Sequence, residues 1–144
     1  MKAVIDSMVF FRAMLGRHAK TASRHVVDLM IDGRIQVYTC DALMGEMYRH
    51  VKEDKILRTI DPVYFQQYMN RIDEWIHYVR MKDLEQDKKR MNELGNDWYL
   101  IAIARNVPTE FIITYDRQVL DLKDEFLEES IRVIDSEGFI EETR

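Results

Sequence analysis

Apolar residues fall along this chain in two patterns. Four runs are short, apolar and largely β-branched: Ala3-Val4-Ile5, Ile35-Gln36-Val37-Tyr38-Thr39, Phe111-Ile112-Ile113-Thr114 and Ile131-Arg132-Val133-Ile134. Such runs suit interior strands of a parallel sheet, which are covered on both faces. Between them apolar residues recur at three- and four-residue steps, the period of a helix with one buried stripe. Thr21 or Ser23 caps one such segment, which ends near Gly33 with Val26, Val27, Met30 and Ile31 inward. Asp41 caps a second, with Leu43, Met47 and Val51 inward. Asp61-Pro62 opens a long third, with Phe65, Met69, Ile72, Trp75, Ile76 and Val79 on its stripe. Asp97 opens a fourth, with Leu100, Ile101, Ala104 and Val107 inward. The charged stretch 82–94 reads as helical, and a weak strand is expected near 77–81. The Phe65–Val79 stripe reads as core or as a dimer face, and Phe10, Phe11 and Met14 as core.

Strands alternating with helices predict an α/β fold with a mainly parallel sheet. In such sheets the ligand crevice lies beyond the carboxyl ends of the strands. At that edge this chain places acids. The first strand runs into Asp6, and the Phe111 strand reaches Asp116 through Tyr115. Glu46 falls early in the helix after the second strand. Asp97 begins the helix that leads into the Phe111 strand, so it starts at the same edge. If the first and fourth strands are neighbours, all four acids converge.

Convergence is costly without a counter-charge. Two like charges ~4 Å apart repel by about 4 kcal/mol at an effective dielectric near 20. Such a group either takes up protons or recruits a divalent cation. All-oxygen ligation suits Mg²⁺ or Mn²⁺ rather than Zn²⁺, and a carboxylate-held cation serves phosphodiester hydrolysis. Each acid also has a plainer reading. Asp41 and Asp61 are assigned as helix caps, Asp97 taken alone is as easily a cap, and Glu46 is as easily a solvated helix residue.

Composition narrows the classes. The 144 residues are 47% hydrophobic and 33% charged, with a formal charge of −5, which is globular and sized for one domain spanning 1–144. The single Cys40 rules out an intrachain disulfide or a cysteine zinc site, and a reducing cytoplasm is the default. No apolar run approaches the ~20 residues of a membrane span. The opening MKAVIDSMVFFRAML faintly resembles a signal peptide, but Asp6 and Arg12 break its apolar run. Residues 1–34 carry six cations against three acids, a net of +3 that leaves −8 for the rest. Arg12, Arg17, Lys20 and Arg24 are therefore either a solvated face or contacts for phosphates, and Arg117, next to Asp116, is the best-placed cation for substrate. No G-x-G-x-x-G or G-x-x-x-x-G-K-[ST] occurs, so dinucleotide and P-loop binding lack support. Met8 stands where a haloacid-dehalogenase-type phosphatase carries its second aspartate. Cys40 has no arginine at a phosphate-loop distance. His18 and His25 have no acidic or thiol partner at ligand spacing.

Four pieces, taken in order, resemble the PIN domain, most closely its VapC-like ribonucleases, the toxin components of toxin–antitoxin pairs. They are Val4-Ile5-Asp6-Ser7, Thr39-Cys40-Asp41-Ala42-Leu43-Met44-Gly45-Glu46, Asp97-Trp98-Tyr99-Leu100-Ile101-Ala102-Ile103-Ala104 and Phe111-Ile112-Ile113-Thr114-Tyr115-Asp116. The likeness covers about residues 2–16, 34–57 and 95–142. It implies a PIN-like three-layer sandwich, with a central mainly parallel sheet of four or five strands flanked by helices. It also implies a Mg²⁺- or Mn²⁺-dependent endoribonuclease, cytoplasmic, often a homodimer and often silenced by an antitoxin. On this likeness Asp6, Glu46, Asp97 and Asp116 are both the metal ligands and the catalytic residues. Glu46 orients or deprotonates the attacking water or completes the metal shell. Ser7 and Thr114 hold the carboxylates by hydrogen bonds, and Arg12, Arg17 and Arg117 face substrate. Many relatives carry a further acid where this chain has Gln118. Asn96 beside Asp97 leaves a one-residue ambiguity, resolved in favour of Asp97 by the register of Leu100, Ala102 and Ala104. The competing readings are a non-catalytic PIN-fold module that binds RNA or protein, and a nuclease for structured DNA.

Overall fold

In the computed structural model the described residues are 1–16, 21–55, 57–90 and 95–144, with backbone alone at 86–90 and 96. Five strands form one sheet: β1 (Lys2–Ile5), β2 (Gln36–Thr39), β3 (Ile76–Tyr78), β4 (Phe111–Ile113) and β5 (Arg132–Ile134). Their spatial order is β3-β2-β1-β4-β5, and every pairing is parallel. Val4 lies opposite Tyr38 on one side and Ile112 on the other, so β1 and β4 are neighbours. All strands point the same way, so all their carboxyl ends share one edge.

The helices are α1 (Ser7–Leu15), α2 (Ala22–Ile31), α3 (Asp41–Glu53), α4 (Pro62–Asp73), α5 (Trp98–Asn106), α6 (Arg117–Leu120), α7 (Lys123–Leu127) and α8 (Ser136–Thr143). They cover both faces of the sheet. The period-2 alternation of the strands divides the core accordingly. Ala3, Ile5, Val37, Phe111 and Ile113 pack with Phe10, Phe11, Met30, Phe65, Ile72 and Phe139. Val4, Ile112 and Val133 pack with Trp98, Leu100, Ile101, Ile103 and Phe126. This is a three-layer α/β sandwich.

Local chemistry sets the element ends. The Thr21 side chain accepts from the Arg24 amide and caps α2. Beyond α2 the chain turns at Gly33 with φ 75°, a conformation that L side chains rarely adopt. Asp61 caps α4 by accepting from the Val63 amide, and Pro62 follows at the first turn.

Five details differ from the sequence reading. Helix α4 stops at Asp73, so Trp75, Ile76 and Val79 leave its stripe. Their spacing continued the helical period across a real turn, but Ile76 pairs with Val37 as the start of β3. Strand β3 therefore begins one residue before the expected 77–81. Cys40, not Asp41, is the cap residue of α3, and it makes no side-chain capping bond; Asp41 is the first helical residue. Ser23 does not cap α2 but is buried against Tyr115 and Ser136. The stretch 81–90 is a 3₁₀ helix (Met81–Arg90), and 91–94 lie outside the described residues. No described helix is long and apolar enough to cross a membrane.

Ile112 is fully buried at the centre of the sheet. Ile112→Ala is expected to lower unfolding free energy by about 2–5 kcal/mol, read from the urea midpoint with an unchanged slope.

Candidate active site at the carboxyl edge of the sheet

Asp6 is delivered by β1. It is the cap residue of α1 and is only 6% exposed. Three donors hold it: the Ser7 amide at 2.7 Å and the Ser7 hydroxyl at 3.4 Å on Oδ1, and the Thr114 hydroxyl at 2.7 Å on Oδ2. Thr114 belongs to the end of β4, so the link exists because β1 and β4 are adjacent. The Thr114 Oγ1 in turn accepts from the Asp116 amide at 3.0 Å. One hydroxyl thus ties Asp6 to the segment that carries Asp116. The Asp116 carboxylate caps α6, accepting from the Gln118 and Val119 amides.

Asp97 begins α5 but makes no side-chain capping bond. Its carboxyl instead lies close to that of Asp116. Glu46 projects from α3, with Arg49 of the same helix 3.8 Å away. Asp6, Glu46, Asp97 and Asp116 all line one open cleft of about 630 Å³. Ser7, Arg12 and Arg117 line it too, as do Met8, Arg49, His50 and Tyr115.

Charge crowding shows in the ionisation of these groups. Burial pushes the Asp97 carboxyl up, and the neighbouring Asp116 side chain together with the charges of Asp116, Asp6 and Glu46 carries it to about 8. Burial likewise raises Asp6, against the pull of its Thr114 and Ser7 donors, and Asp116 adds to the rise. Burial raises Glu46; Arg49 opposes and Asp6 reinforces the rise. As they stand, no three carboxylates among the described residues are close enough together to cage an ion by direct ligation.

Of the other residues singled out in the sequence, Arg17 and Lys20 lie outside the described residues. Arg24 faces a different cleft, shared with Asp28, Tyr64, Tyr68 and Arg71, so it does not join the acids. His18 lies outside the described residues and His25 is exposed. Sequence reasoning missed Arg49 and His50. Their signal was available: positions three and four after Glu46 share its face of α3. Tyr115 was passed over as a spacer between Thr114 and Asp116.

Residues 2–118 match the family model described as PIN domain. No curated protein matches the chain.

Asp97 ionises with difficulty in the fold but freely when unfolded, so its contribution to stability is complete below about pH 4 and is lost as pH rises toward 8. The melting temperature of the metal-free protein is expected to fall over that range, and Asp97→Asn to flatten the fall. At pH 8 Asp97→Asn should melt roughly 2–4 °C higher than wild type, the change that about 1 kcal/mol makes in a domain this size. Thr114→Val leaves Asp6 Oδ2 without its hydroxyl donor and should cost about 1–3 kcal/mol at pH 7 by urea unfolding.

Proposed function

The chain belongs to the PIN-domain family, and from that premise we propose that it is a metal-dependent endoribonuclease whose active site is the acidic cleft. PIN domains are typically nucleases and generally use divalent metal ions. The observation that carries the reading is the convergence of Asp6, Glu46, Asp97 and Asp116 from four separate segments on one open cleft.

The donor set fits a hard cation. Every acidic ligand offers oxygen, and neither Asp97 nor Glu46 is committed to a capping bond. Oxygen donors suit Mg²⁺ or Mn²⁺, and Mg²⁺ keeps several waters and needs only one or two carboxylates directly. Asp6, Asp97 and Asp116 would hold the ion, directly or through its waters. When bound, it lowers the pKa of a coordinated water and neutralises charge on the phosphoryl group.

The chain's own residues do the rest. Thr114 and Ser7 fix the Asp6 carboxylate in one orientation. Glu46, raised by burial, is suited to accept the proton of the attacking water. The water oxygen then forms the new bond to phosphorus while the bond to the departing ribose oxygen breaks, and that oxygen takes up a proton from solvent. Arg12 and Arg117 line the cleft and face the anionic strand. The narrower form of the proposal is that this nuclease is a toxin silenced by an antitoxin, and its support is the four-piece likeness to VapC-like ribonucleases. A gene for a small DNA-binding protein immediately upstream, and growth arrest on expression that Asp116→Asn abolishes, are the results that form requires.

Wild type is expected to cleave labelled single-stranded RNA in millimolar Mn²⁺ and to stop in EDTA. Asp6→Asn, Glu46→Gln and Asp116→Asn should each lower the rate at least about 100-fold, since each acts on transition-state charge. Millimolar Mn²⁺ should also raise the melting temperature of wild type, because only the folded state binds it. Stabilisation by Mn²⁺ without cleavage of any RNA would favour a binding module, and cleavage confined to DNA flaps a DNA nuclease. Cleavage that survives both aspartate substitutions would defeat the assignment.

A further inference from the structure

We propose that Tyr115 is a positioning residue that holds the Arg12 guanidinium over the acidic cleft as a fixed contact for a substrate phosphate, and that helix α8 completes this device. The inference rests on the nuclease reading above and adds to it a residue pair and a segment outside the matched region.

Arg12 is exposed on α1 and lines the cleft. Four acids line the same cleft, yet Arg12 forms no ion pair among the described residues. Its Cζ lies instead 3.7 Å from the centroid of the Tyr115 ring, in contact with the ring face. A cation over a tyrosine ring is held by the ring quadrupole without an acceptor for its N–H groups. The donors of the guanidinium fork therefore remain available to an incoming phosphate, which a planar fork can grip with two parallel bonds.

The ring is itself fixed. The Tyr115 hydroxyl donates to Glu137 Oε2 at 2.8 Å and lies 3.0 Å from Ser23 Oγ. Ser23 Oγ lies 3.0 Å from Ser136 Oγ. The tyrosine proton goes to Glu137, so Ser23 donates to Tyr115 and Ser136 donates to Ser23. The chain runs one way and ends on a carboxylate. A phenol that donates to a carboxylate has a more electron-rich ring, which strengthens its hold on the cation above it. Ser136 and Glu137 belong to α8, beyond the matched residues 2–118. Ser23 belongs to α2. Two helices, α2 and α8, thus converge on Tyr115, between Thr114 and Asp116, and through its ring orient one side chain of α1.

The test is binding of a fluorescein-labelled 12-nucleotide single-stranded RNA to the full chain, with Ca²⁺ replacing Mn²⁺, by anisotropy across 50–200 mM salt. Arg12→Ala should weaken binding about five- to tenfold at the lowest salt. It should also reduce the slope of log affinity against log salt by about 0.7, the loss of one phosphate contact to a single strand. Arg12→Lys should restore the slope and not the affinity. Tyr115→Phe and Glu137→Gln keep the Arg12 charge, so each should weaken binding about two- to fivefold with the slope unchanged. Glu137→Gln removes a negative charge, so a merely electrostatic effect would move its affinity the other way. If Tyr115→Phe folds poorly, Glu137→Gln carries the comparison. A wild-type slope in Arg12→Ala, or wild-type affinity in Glu137→Gln, overturns the inference while the nuclease reading stands. A wild type that neither binds nor cuts the strand removes both.

Discussion

Repulsion among carboxylates at one edge of the sheet is the constraint around which this molecule is arranged. Asp6 and Asp116 come from neighbouring strands, and their backbones cannot separate without breaking the β1–β4 pairing. The fold tolerates the crowding in two ways. Hydroxyl and amide donors stabilise Asp6 as an anion, and the raised proton affinity of Asp97 relieves its crowding by Asp116, Asp6 and Glu46. The first device fixes geometry and the second leaves charge unsatisfied. A centre built for stability alone would replace these acids with apolar residues, since paired buried charges rarely repay their desolvation. These acids are a cost that stability alone does not explain.

Much of this was legible in the chain, for identifiable reasons. Interior parallel strands are apolar on both faces, so β1, β2, β4 and β5 stand out as short β-branched runs. Residues that end such strands inherit a fixed place in space, which is why Asp6 and Asp116 could be located without coordinates. Glu46 and Asp97 followed from the rule that a helix returning to a parallel strand begins where the previous strand ended. What sequence did not give was anything decided by contact between distant side chains. Periodicity carried the α4 stripe past Asp73 because Trp75 and Ile76 kept its spacing; only pairing with Val37 makes Ile76 a strand residue. Ser23 looked like a cap because serine caps helices, but its hydroxyl is drawn 92 positions along the chain to Tyr115. Arg24 looked like a member of the cationic shelf and faces another cleft.

The cleft is mixed in charge, and the mixture has a pattern. Asp6, Asp97 and Asp116 come from the ends of strands and the starts of helices, and Glu46 from within α3, where backbone geometry is rigid. Its cations, Arg12, Arg49 and Arg117, sit on helix surfaces with longer, freer side chains. A short carboxylate on such backbone has little freedom, whereas a long arginine side chain has several rotatable bonds through which to adjust. Arg12 departs from this division because the Tyr115 ring restrains it.

The all-parallel sheet has a practical corollary. Each crossover returns to the amino side of the sheet before the next strand begins, so the turn Asp32–Arg34 lies at the opposite end of the molecule from the carboxylates. That turn is exposed, and nothing lies within 4 Å of where a side chain at Gly33 would begin. It is therefore a natural point for grafting an epitope or a fluorophore-bearing peptide: cargo there hangs in solvent, one full strand length from the cleft.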